Sequence, residues 1–284
     1  MSQENKTFHE AIPYYNITSP CSLVYRKDSP LYPVNPHTHN ATEVYFTLSD
    51  LPDVLLDDTV SMVPAGSLII IPPFCVHQLY HKANIVYERY VLSIHSEWLQ
   101  NIFFQNKSAF HYFNSGEKPT LLPLRGNELA QMKALFDTAL SVDFGKNVNS
   151  VFRLFELLSQ IDQSVSCDIA KEDIQPLSIT TSQNYVNKMI AYINEHLSEN
   201  LTLMDLSKHF SLNVDYLSRL FKEHTHTSIG HYIALQRIAK AQLMLKDGHS
   251  ITQIQEELGY SNYAHFAKTF KKLTGTTPGQ YRKI

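Results

Sequence analysis

The chain has 284 residues, of which 43% are hydrophobic and 18% are charged, and its formal net charge is −3. This length suits two domains that each bury a core, and these fractions are typical of a soluble globular protein. The cysteines lie far apart and form no C-x-x-C pair, which argues against a disulfide framework or a zinc ribbon and favours a reducing compartment: Cys21, Cys75 and Cys167.

The first ten residues, MSQENKTFHE, are polar and do not have the pattern of a signal peptide. The longest apolar run, near Leu68–Ile71, is much too short to span a bilayer. We therefore expect a cytoplasmic protein that has no membrane partner.

Charge is distributed unevenly along the chain. Residues 183–284 contain 12 Lys and Arg against 8 Asp and Glu, a net charge of +4. The first 182 residues contain 12 against 19, a net charge of −7, so the two parts return the total of −3. The basic part is the candidate for an anionic partner, although so mild an excess does not establish nucleic-acid binding by itself.

Residues 21–95 have the pattern of short strands. The segments Val44–Leu48, Ser67–Ile71 and Tyr87–Ile94 are rich in β-branched and aromatic residues. Turn-forming residues separate the strands, at Leu51-Pro52-Asp53, Pro64-Ala65-Gly66 and Pro72-Pro73. Many short strands joined by Pro and Gly turns predict a small sandwich or barrel.

Two amphipathic stretches follow the strands. In Asn127–Val142 and Asn147–Gln163 the apolar residues recur at helical spacing. The apolar stripe of the second stretch, which includes Leu158, is wider than one buried face needs. The helices therefore either cover the barrel on one side and contact a second copy of the chain on the other, or pack wholly within their own domain.

Residues 166–182 (SCDIAKEDIQPLSITTS) lack periodicity and contain a proline, so we interpret them as a linker. Every later segment has helical spacing. Thr202 is placed to cap one of these helices, and the expected core residues of that helix are Leu203, Leu206 and Phe210.

This capped helix is repeated later in the chain. Its core residues recur 48 positions later, as Ile251, Ile254 and Leu258. A turn follows in each copy, and beyond the turn the offset becomes 49 because Gly259-Tyr260 belongs to a turn that is one residue longer than its counterpart at Ser211-Leu212. The next apolar residues also match, with Leu217, Leu220 and Phe221 aligned to Phe266, Thr269 and Phe270. A short helix, a tight turn and a second helix, repeated once, predict two helix-turn-helix motifs.

The second helix of each motif carries a face opposite its apolar residues. In the first motif this face consists of Asp215, Ser218, Arg219 and Lys222, and in the second of Ala264, Ala267, Lys268 and Lys271. Small residues let a helix approach base edges, while arginine and lysine can bind guanine or phosphate. We expect Asn262 and Tyr263, directly before Ala264, to belong to the same interface. The alternative is an ordinary solvated helix face, which for one helix alone is the more common case.

Two segments resemble a known family closely. YLSRLFKEHTHTSIGHYI (216–233) and ELGYSNYAHFAKTFKKLTGTTPGQYRK (257–283) are similar to the DNA-binding domain of AraC-type transcription regulators. The likeness covers about the last hundred residues and implies one long helix, Ser228–Lys246, between the two motifs. Lys268 stands where many members have arginine, and His226 where the first repeat often has glycine.

A histidine pattern in the strand region resembles the cupin barrel that serves as sensor domain in many AraC-type proteins. It comprises His37-x-His39-x-x-x-Glu43 and a later His77. In metal-binding cupins this pattern holds one ion, and strand alternation puts His37 and His39 on one face. Three alternatives stay open: contact with a small effector, a bound metal, and purely structural hydrogen bonding. Tyr45 lies two residues after Glu43, so strand alternation puts both side chains on the same face and makes Tyr45 a further pocket candidate. Arg89 is a weaker candidate.

These inferences predict an α+β protein with three parts: a cupin-like β-barrel with dimerisation helices (1–165), a linker (166–182) and an all-α double helix-turn-helix domain (183–284). Its expected function is sequence-specific transcription regulation, as an activator that responds to a small polar effector such as a sugar. The expected partners are double-stranded DNA, that effector, RNA polymerase and a second copy of the chain, with no enzyme activity, cofactor or metal. The alternative is a metal-dependent cupin enzyme fused to a DNA-binding domain.

Overall fold

The structure, a computed structural model, describes residues 14–15, 21–28, 35–80, 85–95, 98, 118–141, 148–169 and 181–282. Within these ranges the first half of the chain forms mainly antiparallel strands and the last hundred residues form helices. The fold is therefore α+β, as the sequence predicts.

The strands form two antiparallel sheets and one short parallel pair. Their bounds are β1 Tyr14–Tyr15, β2 Cys21–Asp28, β3 Thr38–His39, β4 Ala41–Thr47, β5 Leu51–Leu56, β6 Thr59–Val63, β7 Ser67–Ile71, β8 His77–Tyr80, β9 Tyr87–His95 and β10 Thr120–Pro123. The larger sheet has the order β10-β7-β4-β9-β2 and the smaller one the order β6-β5-β8. The parallel pair joins β1 to β3.

Helices α1 (Gly126–Leu140) and α2 (Val148–Ile169) pack on one face of the larger sheet. Phe46 of the sheet stacks on Phe136 of α1 with ring centroids 5.3 Å apart, and the tilted ring of Tyr90 lies 5.1 Å from that of Phe136. Leu158 of α2 is only 1% exposed and belongs to this same core. Because Leu158 is buried within its own domain, it cannot serve as a contact with a second copy. Among the described side chains of α1 and α2, Leu140 is the large apolar residue that stays exposed, at 38%.

The two sheets face each other across an apolar interior that includes Val54 and Leu56 of β5 and Ile69 and Ile71 of β7. Leu55 lies between Val54 and Leu56 and points to the opposite face, because side chains alternate along a strand. That outer face of the smaller sheet is buried too, and its residues share one core with the C-terminal helices: Leu55, Val60 and Val76.

The C-terminal helices are α3 Thr181–Glu195, α4 Leu203–Phe210, α5 Val214–Thr225, α6 Ile229–Lys246, α7 Ile251–Glu257, α8 Tyr263–Thr274 and α9 Pro278–Tyr281. Their shared core contains large, fully buried aromatic side chains from α5, α6 and α8: Phe221, Tyr232, Phe266 and Phe270. The long helix predicted for Ser228–Lys246 is present as α6, with Ser228 as its N-cap.

Two local expectations were wrong. The predicted turn Leu51-Pro52-Asp53 lies inside β5, where the pairing register shifts between Leu51 and Val54. Such a bulge is one of the few places where a strand accepts proline. Leu203, expected in the core, is 41% exposed, whereas Leu206 is fully buried. Leu203 is the first residue of α4, so its side chain lies at the helix end and not over the buried face.

Both ends of the predicted linker are helical, because α2 continues to Ile169 and α3 begins at Thr181. Residues 170–180 lie outside the described residues, so the proposed division into domains stays a prediction. Among the described residues, no helix combines the length and apolarity needed to cross a membrane.

Candidate functional site

The first helix-turn-helix motif consists of α4 and α5, and its local structure follows from capping residues. Thr202 accepts a hydrogen bond from the backbone N–H of Asp205, whose carboxylate in turn accepts from the Thr202 N–H, so the pair forms a capping box. Ser211 then ends α4 in a left-handed conformation, with φ of 53°. Asn213 starts α5 by accepting a hydrogen bond from the N–H of Asp215.

The second motif consists of α7 and α8 and repeats the capping box, the left-handed residue and the Asn N-cap of the first motif at the predicted offsets. Ser250 and Gln253 form the capping box of α7. Gly259 takes the left-handed position that Ser211 takes in the first motif, with φ of 66°. Asn262 starts α8 by accepting a hydrogen bond from the N–H of His265. The repeat therefore extends from apolar positions to the hydrogen bonds that begin and end each helix.

The C-terminal ends of α5 and α8 also match. The Thr225 hydroxyl donates to the carbonyl oxygen of Phe221 at 2.7 Å, and the Thr274 hydroxyl donates to that of Phe270 at 2.8 Å. The next residue is left-handed in both, since His226 has φ of 53° and Gly275 has φ of 80°. His226 thus occupies a backbone conformation that glycine adopts more readily.

The predicted DNA-binding residues lie together on the outer faces of α5 and α8. Ser218 and Ala267 are partly exposed, and the rest are exposed: Asp215, Arg219, Lys222, Asn262, Tyr263, Ala264, Lys268 and Lys271. Of these, Asn262 has a structural role as the N-cap of α8. The arrangement presents two similar faces, each with small residues and cations accessible to a partner.

Sequence reasoning missed Tyr216, which is 45% exposed on the same face as Arg219. The Arg219 guanidinium carbon lies 5.5 Å from the centre of the Tyr216 ring. This cation–π contact restricts the orientation of the guanidinium before any partner binds. The i, i+3 spacing of an aromatic residue and an arginine was the available signal.

Arg237 of α6 links the segment that follows α3 to the turn of the second motif. Its Nε donates to the carbonyl oxygen of Leu197 at 2.9 Å and its Nη2 to that of Glu199 at 2.6 Å, both just beyond α3. Its guanidinium also lies 5.3 Å from the centre of the Tyr260 ring in the turn of the second motif. A Cβ on Gly259 would come within 2.9 Å of Arg237 Nη2, so the turn needs glycine for space as well as for its backbone angle.

The predicted sensor residues also converge. His39 Nε2 lies 3.1 Å and His77 Nε2 3.6 Å from Oε2 of Glu43. The ring of His37 lies 4.3 Å from that of His77, because the two residues form an isolated β-bridge. Burial, with a smaller effect from His77, lowers the pKa of His37 to about 3. Burial alone would raise the pKa of Glu43, but the neighbouring imidazoles of His39 and His77 hold this pKa well below its ordinary value.

Each of the three imidazoles is oriented by a backbone carbonyl. The Nδ1 atoms of His37, His39 and His77 lie 3.0, 2.9 and 3.0 Å from carbonyl oxygens of neighbouring residues. A carbonyl can only accept, so Nδ1 carries a proton and Nε2 of a neutral ring is left as a lone pair. The Nε2 atoms of His39 and His77 and Oε2 of Glu43 are buried without a hydrogen bond. Facing acceptors repel one another unless a proton or a cation lies among them.

This donor set fits a divalent transition-metal ion, as the cupin likeness implies. Potential ligand atoms of His37, His39 and His77 all lie within 4.8 Å of one another. Neutral imidazoles with a hydrogen-bonded Nδ1, together with one carboxylate, are typical metal ligands.

Tyr45 and Arg89, the remaining pocket candidates, line one cavity together with His37 and Glu43. The cavity has a volume of about 320 Å³ and lies between strands β2, β4, β8 and β9. Burial and then Glu43 raise the pKa of Tyr45 well above its ordinary value, which keeps the phenol protonated as a hydrogen-bond donor to Glu43. All the predicted sensor residues are therefore grouped on the inner side of the sheets.

The outer side of the smaller sheet contacts the C-terminal helices directly. The backbone N–H of Val60 donates to Oδ1 of Asn187 in α3 at 2.8 Å, and Nδ2 of Asn187 donates to the carbonyl oxygen of Val60 at 3.3 Å. β6 is an edge strand, so Asn187 supplies the hydrogen bonds that a further strand would otherwise make.

A second contact joins the β5–β6 turn to α6. The Tyr232 hydroxyl donates to the carbonyl oxygen of Asp57 at 2.6 Å. Gln236 Nε2 donates to Oδ1 of Asp57 at 3.1 Å. Asp57 has φ of 48°, so the turn that holds these acceptors is itself unusual for a non-glycine residue. The sequence analysis predicted neither this contact nor the one between Asn187 and Val60. The residues of a strand carry no local pattern that identifies which distant helix packs against it.

Comparison with known proteins agrees with the duplicated motif. Residues 206–284 match a family model described as a helix-turn-helix domain. The melibiose operon regulatory protein of Escherichia coli (strain K12) is 33% identical over 104 residues, which is 36% of this chain and 34% of that protein. The uncharacterized HTH-type transcriptional regulator YfiF of Bacillus subtilis (strain 168) is 25% identical over 257 residues, 87% of this chain and 78% of that protein.

Among solved structures, the C-terminal domain of AraT, a response regulator from Geobacillus stearothermophilus, is 30% identical. The match covers 38% of this chain and 88% of that chain, with a TM-score of 0.35. The chain spans only 34% to 44% of the length of the first curated relatives it matches. The family model falls on the residues of the duplicated motif, and the C-terminal part of the chain is therefore a helix-turn-helix domain of the AraC/XylS type.

Proposed function

We propose that this protein regulates transcription by binding double-stranded DNA through the outer faces of α5 and α8. The observation that carries the proposal is the duplication of one exposed, partly basic helix face with equivalent caps at both ends. The 18-residue helix α6 separates the motifs and is about 27 Å long at 1.5 Å per residue. Successive major-groove faces lie about 34 Å apart, so two recognition helices on one side of a duplex are compatible with this spacing.

Selection from a random double-stranded library by the purified full chain tests DNA recognition. We expect enrichment of a two-part sequence whose halves lie about 10 base pairs apart, one helical turn of DNA. Binding of the selected sequence should weaken steeply with salt, because lysine and arginine displace counterions from phosphates. Failure to enrich any sequence over the starting library would contradict the proposal.

The cavity inside the sheets is the proposed effector site, with His37, Glu43 and Tyr45 in its lining. The proposed site also includes His39 and His77, which are buried beside Glu43 and do not line the cavity. Support comes from its volume, its enclosed polar groups and the relative named for the melibiose operon, which points to a sugar. A thermal-shift screen of the full chain against sugars, followed by DNA titration with and without each hit, tests this assignment. A sugar that raises the Tm of the protein but leaves its DNA affinity unchanged would contradict the proposal that the cavity senses an effector.

A second candidate function has an observation in its favour, the unbonded Nε2 atoms of His39 and His77 beside Glu43. His37, His39, His77 and Glu43 would hold a divalent ion, which supplies Lewis-acid chemistry when bound. The named relatives are transcription regulators, which supports a non-enzymatic role. Metal analysis of protein purified without chelators, beside the His39→Ala variant, tests this. One equivalent of metal in the wild type that is absent from His39→Ala would favour the metal-dependent enzyme.

The path from effector to DNA runs, in this proposal, through the smaller sheet. One face of that sheet bounds the interior and the other carries Val60 and Asp57, which bind Asn187 in α3 and Tyr232 in α6. A ligand shifts an equilibrium only if it binds one arrangement more tightly than another. A ligand that moves the smaller sheet would change the surface against which the DNA-binding helices pack.

The remaining parts of the proposal are a cytoplasmic homodimer that activates transcription through RNA polymerase, and the family resemblance supports them. Among the described side chains of α1 and α2, Leu140 is the large apolar one that is exposed and free to contact a second copy. Sedimentation of the full chain should therefore show a dimer that Leu140→Glu weakens. A wild-type monomer at micromolar concentration, with and without DNA, would contradict the dimer.

A further inference from the structure

The outer face of α5 carries a carboxylate that the matching face of α8 lacks. Asp215 and Ala264 are the second residues of these helices, each two positions after the asparagine that caps the helix, and both are exposed. The sequence of α8 contains three lysines and no acidic residue. The duplicated motif therefore forms without a carboxylate at this position, and Asp215 is a feature of the first motif alone.

The side chain of Asp215 takes no part in capping α5. Asn213 accepts the hydrogen bond that begins the helix, and Asp215 supplies only its backbone N–H to it. In the described part of the chain the Asp215 carboxylate has neither a hydrogen bond nor an ion pair. Asp205 of α4 differs, because its carboxylate accepts from the Thr202 N–H. What remains for Asp215 within the protein is a weak interaction with the helix dipole.

The cation one turn further along α5 does not neutralise Asp215. Aspartate and arginine four residues apart on a helix are close enough to pair. The Arg219 guanidinium carbon lies instead 5.5 Å from the centre of the Tyr216 ring, and the residues that the structure describes include no ion pair between Arg219 and Asp215. The outer face of α5 therefore presents a separate donor group and a separate acceptor group to a partner.

One base edge matches such a carboxylate better than the other three. A carboxylate is repelled by the phosphates of DNA, and when ionised it only accepts hydrogen bonds. In the major groove guanine presents two acceptors, and thymine presents an acceptor and a methyl group. Adenine presents a donor beside the acceptor N7, whereas cytosine presents its N4 amino group without an adjacent acceptor. Cytosine is therefore the base that compensates best for the repulsion.

We propose that Asp215 accepts a hydrogen bond from the N4 amino group of a cytosine within two base pairs of the base bound by Arg219. The two residues are about 6 Å apart along the helix and base pairs are about 3.4 Å apart, which sets this limit. Residues at the N-terminal end of a recognition helix contact base edges, and Asp215 lies in the first turn of α5. The inference rests on the proposed function, because it requires α5 to lie in a major groove.

Parallel selections from a random double-stranded library with the full-length wild type, Asp215→Ala and Asp215→Asn test this contact. The wild type should enrich a cytosine at one position in one half of the recovered sequence. Replacing that C·G pair should weaken wild-type binding by at least about fivefold, and it should leave the binding of Asp215→Ala almost unchanged. Asp215→Asn should prefer adenine at the same position, because an amide can pair with both N6 and N7 of adenine.

Glu223→Ala is the matched control for the loss of charge. Glu223 is also an exposed carboxylate of α5, but it lies two turns after Asp215, near the C-terminal end of the helix. Asp215→Ala and Glu223→Ala should both bind an unselected duplex about two- to fivefold more tightly, since each removes one exposed repulsive charge. Only Asp215→Ala should change the base preference. Circular dichroism of each variant checks that the helices are retained.

The inference is overturned if wild type and Asp215→Ala enrich the same bases at every position, or if Glu223→Ala loses the cytosine preference as well. An enriched sequence in which no position requires cytosine also overturns it. In each of these cases DNA recognition itself stands. Failure of the wild type to enrich any sequence contradicts the proposed function, and this inference falls with it.

Discussion

Arg219 and Lys268 occupy matched positions on the outer faces of α5 and α8, where both are exposed. Arg219 is additionally held over the ring of Tyr216. We expect Arg219→Ala and Lys268→Ala each to weaken specific DNA binding by about 1–3 kcal/mol, the range for a side chain that reads a base edge. Fluorescence anisotropy with the selected DNA sequence measures the change.

Lys240→Ala is the matched control for these two variants. Lys240 is an exposed cation on α6, but it lines a cavity between the C-terminal helices and the segment that follows β7, together with Phe74. Removing its charge should therefore change DNA binding much less than removing Arg219 or Lys268. Binding curves of both test variants that superimpose on the wild type would show that these faces do not contact DNA.

His226 and Gly275 allow the cost of a left-handed residue to be measured within one protein. Both follow the threonine that ends a recognition helix, and both have positive φ. His226→Gly should stabilise the chain by about 1 kcal/mol, because a side chain in this region carries a steric penalty. Gly275→Ala should destabilise it by about 1–2 kcal/mol, and no atom lies within 4 Å of the added Cβ, so the cost is conformational.

Calorimetric unfolding of the full chain measures the Tm of both variants. The opposite signs form an internal control, since each change alters one side chain at an equivalent position. A fall in Tm for His226→Gly would show that contacts of the imidazole outweigh the backbone penalty.

At the residue scale, helical periodicity predicted the exposed side chains of the recognition helices correctly, but it did not predict every buried side chain. The faces around Arg219 and Lys268 follow from helical periodicity, and both are exposed. Leu203 has the same apolar character as Leu206 but lies at the start of α4 and is exposed. Periodicity assigns a face to each residue, whereas burial also depends on whether another element covers that part of the helix.

At the scale of elements, one side chain of α6 links the segment after α3 to the second motif. Arg237 binds two carbonyl oxygens beyond α3 and stacks on Tyr260 beyond α7. Arg237→Ala should lower the free energy of unfolding by about 1.5–3 kcal/mol, as expected for hydrogen bonds from a charged group. DNA affinity should fall as well, because the turn that precedes the second recognition helix loses its contact with α6.

Arg237→Lys tests whether shape or charge is responsible. Lysine keeps the charge but cannot direct two donors to both carbonyl oxygens while stacking on the ring. We expect Arg237→Lys to resemble Arg237→Ala in thermal unfolding, with Lys240→Ala on the same helix as the unperturbed reference. Full stability in Arg237→Lys would show that the bridge acts through charge alone.

For the smaller sheet, the sequence predicted which residues share a face but not which element packs against each face. Alternation along β5 correctly implies that Leu55 and Leu56 point to opposite faces. Both faces are apolar, however, and the sequence does not reveal that one covers the interior while the other packs on α3, α5 and α6. Such a partner is fixed by contacts between residues more than a hundred positions apart, for which a single sequence carries no periodic signal.

At the scale of the whole molecule, the described elements stack in the order helix pair, larger sheet, smaller sheet and C-terminal helices. The cavity lined by Glu43 and Tyr45 belongs to the interior of the sheets, and the helices of the two motifs lie beyond the outer face of the smaller sheet. The histidine pattern predicted that His37, His39, Glu43 and His77 lie close together, but not this order of layers. A short physical route between the two sites follows from the stacking.

Asn187 is the point at which this route can be tested with least disturbance. Its side-chain amide pairs with both backbone groups of Val60 on the edge strand β6. Asn187→Ala should increase hydrogen exchange at the Val60 amide by at least about fivefold, because a neutral hydrogen bond contributes about 1 kcal/mol. Asn184→Ala is the matched control, since Asn184 lies one turn earlier on α3 and is exposed. If exchange at Val60 is the same in Asn187→Ala as in the wild type, the sheet and the DNA-binding helices are not joined here in solution. If exchange rises and effector-dependent DNA binding is lost in the same variant, the contact transmits the signal.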